Sequence, residues 1–292
     1  MARDLRTYIG IDLGGARGKS TALARLARSG DGVVALEVST RDPSGAAWQD
    51  GPLYDYLAAL PAGSAIAVGA PLTAPACVRC RVQVCPGVSA CVDPAVVWLR
   101  TEGVELAARA DQRDLDRIAA VPARGGAALA GMPPTQQMRP PALPYAHRCT
   151  EVAIHHERGL VPRDLVGQSA GPVAARGQHL RRRLGGLGYR LNHDLLEVSP
   201  RATVHALFGP ARARGYRRDA DPWQTRVHIV EGLTDLSFAP TSRLSREEVL
   251  RSDHCFDALL AAYTAYLWAR DGWQLPAGDP RVWDEDGFIW AP

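Results

Sequence analysis

The chain has 292 residues, enough for one large domain or two small ones, with about three quarters of the unfolded surface expected to be buried at this size. Its net charge of +3 arises from 34 basic and 31 acidic residues, and Lys19 is the only lysine, so the basic balance follows an arginine-rich composition and says little about a nucleic-acid partner. No run approaches the ~20 apolar residues of a membrane span and the first residues lack a signal peptide's apolar centre, so no membrane partner and a cytoplasmic location are expected.

Thr7 to Asp12 is an apolar, β-branched and aromatic run that reads as a central strand, and it carries a carboxylate at its end. An unpaired buried charge costs several kcal/mol, so Asp12 is expected to face a cleft and a cation. The glycines that follow do not make a phosphate loop. Gly18-Lys19-Ser20 is present, but a P-loop needs a glycine five residues before Gly18, and that position is Leu13. A hairpin fits better, with Lys19 to Leu26 and Val33 to Val38 as strands around the turn Ser29-Gly30-Asp31-Gly32.

Helical spacing then runs from Pro52 to Leu60, and Ala65 to Leu72 reads as a buried strand stopped by Pro71. Residues 73–147 break this β, β, β, α, β rhythm and read as an insertion carried on the domain, with helices near 93–100 and 105–120 and a Gly/Pro-rich passage from 124 to 144. Beyond it, helices are expected from His147 to Arg158 and from Gly171 to Leu184, and a strand from Asp194 to Pro200. Arg212 to Arg218 reads as a loop, and Asp221 to Leu233 as a helix. The clearest helix is capped by Ser252, carries the stripe Phe256, Leu259, Leu260, Tyr263, Leu267, and stops at Gly272. Gly287 to Pro292 is a short strand or tail.

Two sets of residues carry chemistry. Cys77-x2-Cys80-x4-Cys85-x5-Cys91 places four of the six cysteines in fifteen residues, which in a reducing compartment points to metal: Zn²⁺ in a knuckle-like loop, with a [4Fe-4S] cluster as the alternative that Cys85-Pro86 suggests. Cys149 and Cys255 fall in helical patterns and read as core, and His155-His156 as surface. The second set is acidic. Asp12, Glu197 and Asp257, with Asp253 one helical turn before Asp257, would hold Mg²⁺ or Mn²⁺ if the fold brought them together, since clustered carboxylates repel unless a cation neutralises them. The plainer reading remains open: Asp253 suits a helix N-terminus, Glu197 pairs with an arginine and Asp12 caps a turn. Arginines at 79 and 81, 181–183 and 212–218 suit either a phosphate-binding surface or solvated faces.

Gly10-Ile-Asp12, Ala70-Pro-Leu72, Glu197-Val-Ser-Pro200 followed by Ala202-Thr-Val, Asp253-x3-Asp257-Ala-Leu-x-Ala-Ala and the terminal Gly-Phe-Ile-Trp together resemble the family called domain of unknown function 429, described as predicted nucleases. The resemblance implies a ribonuclease-H-like fold, a mixed five-stranded sheet flanked by helices, with 73–147 as its variable part, and the residues themselves read as a single α/β domain over 1–292 with a Cys-rich metal-binding insertion at 73–147. The resemblance also implies acidic metal ligands at Asp12, Glu197 and Asp257, and hydrolysis of nucleic acid by metal-activated water. One departure stands out: where the family pattern has aspartate before Ala-Pro-Leu, this chain has Gly69. Three alternatives follow: a catalytically impaired nucleic-acid-binding module, a phosphotransferase using Gly14 and Lys19, or an iron–sulfur sensing or redox protein.

Overall fold

The computed structural model describes residues 3–15, 20–119, 142–160, 165–167, 170–240 and 243–292. Much of the Gly/Pro-rich passage expected between 124 and 144, together with Lys19, lies outside these residues. In chain order the elements are β1 (Thr7–Asp12), β2 (Ala22–Ser29), β3 (Gly32–Ser39), α1 (Asp50–Ala58), β4 (Ser64–Val68), α2 (Ala76–Arg79), α3 (Pro94–Trp98), α4 (Val104–Ala119) and α5 (Cys149–Arg158). They continue with α6 (Gly171–Gly185), β5 (Leu195–Val198), α7 (Pro200–Arg218), α8 (Pro222–Gly232), β6 (Leu236–Phe238), α9 (Arg243–Arg251), α10 (Asp253–Asp271), α11 (Pro280–Asp286) and β7 (Ile289–Trp290). The chain divides into two compact units, one formed by 1–73, 166–278 and 287–292 and the other by 74–165 and 279–286. All of the expected insertion at 73–147 but Thr73 falls in the second unit, which extends further and also recruits a late segment.

The first unit is built on a seven-stranded mixed sheet of order β6-β3-β2-β1-β4-β5-β7. The hairpin β1–β2–β3 is antiparallel, and the remaining pairings are parallel. The expected strand count of five is therefore corrected to seven. The two extra strands are edge pieces of three and two residues, too short to show a period of their own. One face of the sheet presents Tyr8, Ala24, Ala67, Leu196 and Val198 to α10 and its neighbours. The other presents Ile9, Ile11, Ile66, Val68 and Leu195 to Leu53 and Leu57 of α1 and Leu180 and Leu184 of α6.

Helix α10 is the centre of this unit. Ser252 Oγ accepts from Cys255 N at its start and Gly272, at φ 64°, closes its end. Every residue from Cys255 to Ala269 is buried, so the expected one-sided stripe is in fact a helix apolar nearly all round, packed on β1 and β2 and covered by α7 and α9. It reaches β1 at backbone distance: a Cβ at Gly10 would lie 2.0 Å from the Ala258 carbonyl oxygen. The expected loop at Arg212 to Arg218 is also corrected, because these residues form the end of α7. Gly209, at φ 84°, and Pro210 kink that helix, and the second half packs only Ala213, Gly215 and Tyr216 inward.

In the second unit, α3 runs through a π turn (Leu99–Gly103) into α4, and α11 packs on α3 and α5 with Trp98 and Trp283 edge to face at 5.4 Å. Arg148 is fully buried at the start of α5. Its Nε donates to Glu151 Oε1 at 3.0 Å while its backbone N–H donates to Oε2 at 2.8 Å, a capping box with an ion pair inside it. Cys149 N donates to buried Asp286 at 2.5 Å, and Arg79 Nη2 approaches the same carboxylate at 3.3 Å. Burial pushes Asp286 up to about 6, against the pull of Arg148 and Arg79. His155, expected at the surface, is buried in α5, whose inner face it completes.

Candidate active site

Asp12 ends β1 on the face that meets α10, two residues beyond Gly10. Because Ala258 touches Gly10, the helical turn before it, His254 to Asp257, is carried to the strand end. His254 Nδ1 lies 2.6 Å from Asp12 Oδ2. That hydrogen bond, opposed by burial and assisted by the charges of Asp12 and Asp253, raises the imidazole above its ordinary 6.5.

Asp257 is strongly perturbed. Burial pushes its carboxyl up to about 7, the Arg217 guanidinium opposes this, and the Asp12 charge adds to it. Arg217 donates to Oδ2, and the Tyr216 hydroxyl, like Arg217, pulls the carboxyl's pKa down. The other oxygen, Oδ1, is buried with no hydrogen-bond partner. Tyr216 is itself fixed, with its ring 5.1 Å from that of Phe256 and its carbonyl accepting from Arg226 Nε at 2.9 Å. Asp253, in the first turn of α10, acts through space on Arg217, Arg226 and His254.

Glu197 does not join them. Ile11 pairs with Val68 and Val68 with Glu197, so the three side chains share the sheet face opposite Asp12. Glu197 is buried there and its Oε2 accepts from Leu72 N at 2.8 Å, which ties down the turn after β4. The expected trio of Asp12, Glu197 and Asp257 is therefore corrected to a pair, Asp12 and Asp257, with Asp253 beside it. His254, Arg217 and Tyr216 complete the cluster without having been assigned to it from sequence. Among the described residues no three His, Cys, Asp or Glu side chains are placed to hold a metal ion. The fit of a cation to this site rests instead on the donor chemistry: two hard carboxylates, one with a buried and unpartnered oxygen.

The cysteine loop lies in the second unit. Cys77 and Cys91 are half-buried, Cys80 and Cys85 exposed, and all six cysteines are unbridged. Burial raises the Cys77 thiol first, followed by the charges of Cys91, Cys85 and Cys80. Cys149 and Cys255 are core, as their helical patterns predict, with burial raising both.

Fold and site together define a mixed α/β protein with an acidic cluster at the end of its first, central strand. The chain belongs to the family described as Protein of unknown function (DUF429), whose profile matches residues 10–281. No curated protein and no solved structure matches it significantly. Among the described residues no helix is long and apolar enough to cross a membrane.

Proposed function

We propose that the chain is a hydrolase of phosphodiester bonds in nucleic acid, dependent on Mg²⁺ or Mn²⁺ held by Asp12 and Asp257 with Asp253 assisting, on a ribonuclease-H-like scaffold. One observation carries this reading: Asp257 is buried with one oxygen unpartnered, and burial and the Asp12 charge both raise its carboxyl, to about 7, so two ionised carboxylates are unfavourable here unless a cation neutralises them. A divalent ion there would supply charge for a phosphoryl oxygen and acidify a bound water.

The protein's own groups have separable tasks. With Nδ1 of His254 taken by Asp12, Nε2 is the ring atom that takes or gives a proton at the reacting centre. Arg217 neutralises Asp257 while no ion is bound and turns to a substrate phosphate when one is. Arg212, Arg214 and Arg218 are exposed on the same half of α7 and extend that charge along a nucleic-acid backbone. The test is cleavage of labelled single- and double-stranded DNA and RNA with Mg²⁺ or Mn²⁺. Asp12→Asn is expected to abolish cleavage and keep the circular dichroism of the parent; unaltered cleavage removes Asp12 from the mechanism.

Gly69 favours a second reading, a binding module that has lost turnover, because the carboxylate of the family pattern is missing next to Asp12. That protein would bind nucleic acid with steep salt dependence and cleave none of it.

A further inference from the structure

The loop from Cys77 to Cys91 takes no part in the chemistry above, and its fold needs its own cause. Both ends are pinned. Cys77 N donates to Pro144 O at 3.0 Å, and Arg100 Nη1 donates to the carbonyls of Val88, Ser89 and Cys91 at 2.8 Å each. Beyond α2, which ends at Arg79, the regular structure described in this stretch is the three-residue 3-10 turn Val88–Ala90. Val82, Val84 and Val92 are 61%, 84% and 89% exposed, so an apolar core is not what orders this stretch. Small segments without a core are ordered by disulfides or by metal, and no cysteine here is bridged.

We infer that Cys77, Cys80, Cys85 and Cys91 form a structural zinc site in which four thiolates close around one Zn²⁺ and knit the loop together. Binding releases four protons to solvent and leaves a complex of net charge −2, beside which Arg79, Arg81 and Arg100 place positive charge. Four protein ligands leave no position for water, so the ion orders the loop and does no hydrolysis. As the side chains stand, no three are placed to hold an ion, so binding draws the 80–92 stretch inward; with so little regular structure it can yield. Zinc suits the site better than an iron–sulfur cluster because Cys80 and Cys85 are open to solvent, where a redox-inert ion is indifferent to oxygen.

The experiment uses the full chain purified under reducing conditions, with zinc, iron and sulfide measured. About one zinc per chain is expected, with the four thiols slow to react in native buffer. Exchange with Co²⁺ should give the intense visible bands of a tetrahedral thiolate complex. Cys80→Ser and Cys85→Ser, at exposed positions, should each lose the zinc, while Asp12→Asn keeps it, which separates this site from the carboxylates. Metal-free protein with four freely titrating thiols, a disulfide among these cysteines, or iron with labile sulfide would each overturn the inference. The Co²⁺ spectrum of the parent protein decides the matter even if the serine variants fail to fold.

Discussion

His254 Nδ1 and Asp12 Oδ2 meet at 2.6 Å across 242 positions of sequence, and the imidazole so held titrates above 6.5. Asp257 beside it titrates at about 7 against an ordinary 3.8. Both groups hold a proton more tightly folded than unfolded, so both make stability fall as pH rises. For Asp257 the loss runs from about 4 to about 7; for His254 it begins near 6.5 and is complete above the raised folded value. Urea denaturation without divalent ions is expected to show this decline, flattened in its lower part by Asp257→Asn and in its upper part by His254→Asn. A profile identical in all three proteins would contradict the arrangement.

On the proposed reading, Arg217 and a divalent cation would compete for Asp257. The guanidinium side chain is 41% exposed, so its ion pair is worth no more than ~1 kcal/mol after solvent screening. Arg217→Met should therefore tighten Mn²⁺ binding by about fivefold by calorimetry while lowering turnover on nucleic acid. Weaker Mn²⁺ binding in the variant would mean that Arg217 supports the ion instead of opposing it.

Gly69 N donates to Ile11 O at 2.8 Å, and the atoms nearest a Cβ at 69 would be Ile11 O at 3.5 Å and Pro200 carbons at 3.6 and 3.7 Å, ordinary contacts. Val68 faces the side of Ile11, so by alternation a side chain at 69 shares the side of Asp12. Gly69→Asp is expected to fold, to bind Mn²⁺ at least tenfold more tightly and to raise cleavage. A folded variant with unchanged affinity would place the new carboxylate away from the ion.

Gly10→Ala should be among the most damaging small changes in the protein. Its methyl would sit 2.0 Å from Ala258 O and 2.3 Å from Ala262 N, both backbone, so α10 must move off the sheet. A loss at or beyond the ~1–3 kcal/mol typical of overpacking is expected in chemical denaturation, together with weakened Mn²⁺ binding because Asp257 moves with the helix.

Arg148→Met leaves buried Glu151 without its ion-pair partner and is expected to cost ~3–5 kcal/mol, whereas Arg148→Met combined with Glu151→Leu should recover most of it. Thermal unfolding of the two variants checks the ordering; a double variant worse than the single one would show that Glu151 does not depend on Arg148.

Much of this was legible in sequence where one residue has one local job. Ser252 and Gly272 bounded α10, Gly30 and Gly32 the hairpin, and Asp12 stood out as a charge in a buried strand. The failures have a common cause in relationships between elements. Glu197 looked like Asp12's counterpart, but which face a strand residue takes depends on register with its neighbours, which no single strand encodes. The arginines after Gly209-Pro210 read as a loop because that half of α7 buries only small residues and one tyrosine, too few to mark a stripe. His254 was hidden beside Asp253, its partner supplied by the other end of the chain.

The carboxylate that receives Cys149 N and Arg79 arrives on α11, more than a hundred residues after the rest of the second unit. A fragment cut at 74 and 165 would therefore lose the buried Asp286 carboxylate that Cys149 N and Arg79 share. Anyone wishing to study that module in isolation should splice 279–286 back on through a linker, since a simple excision yields an incomplete body whatever metal it is given.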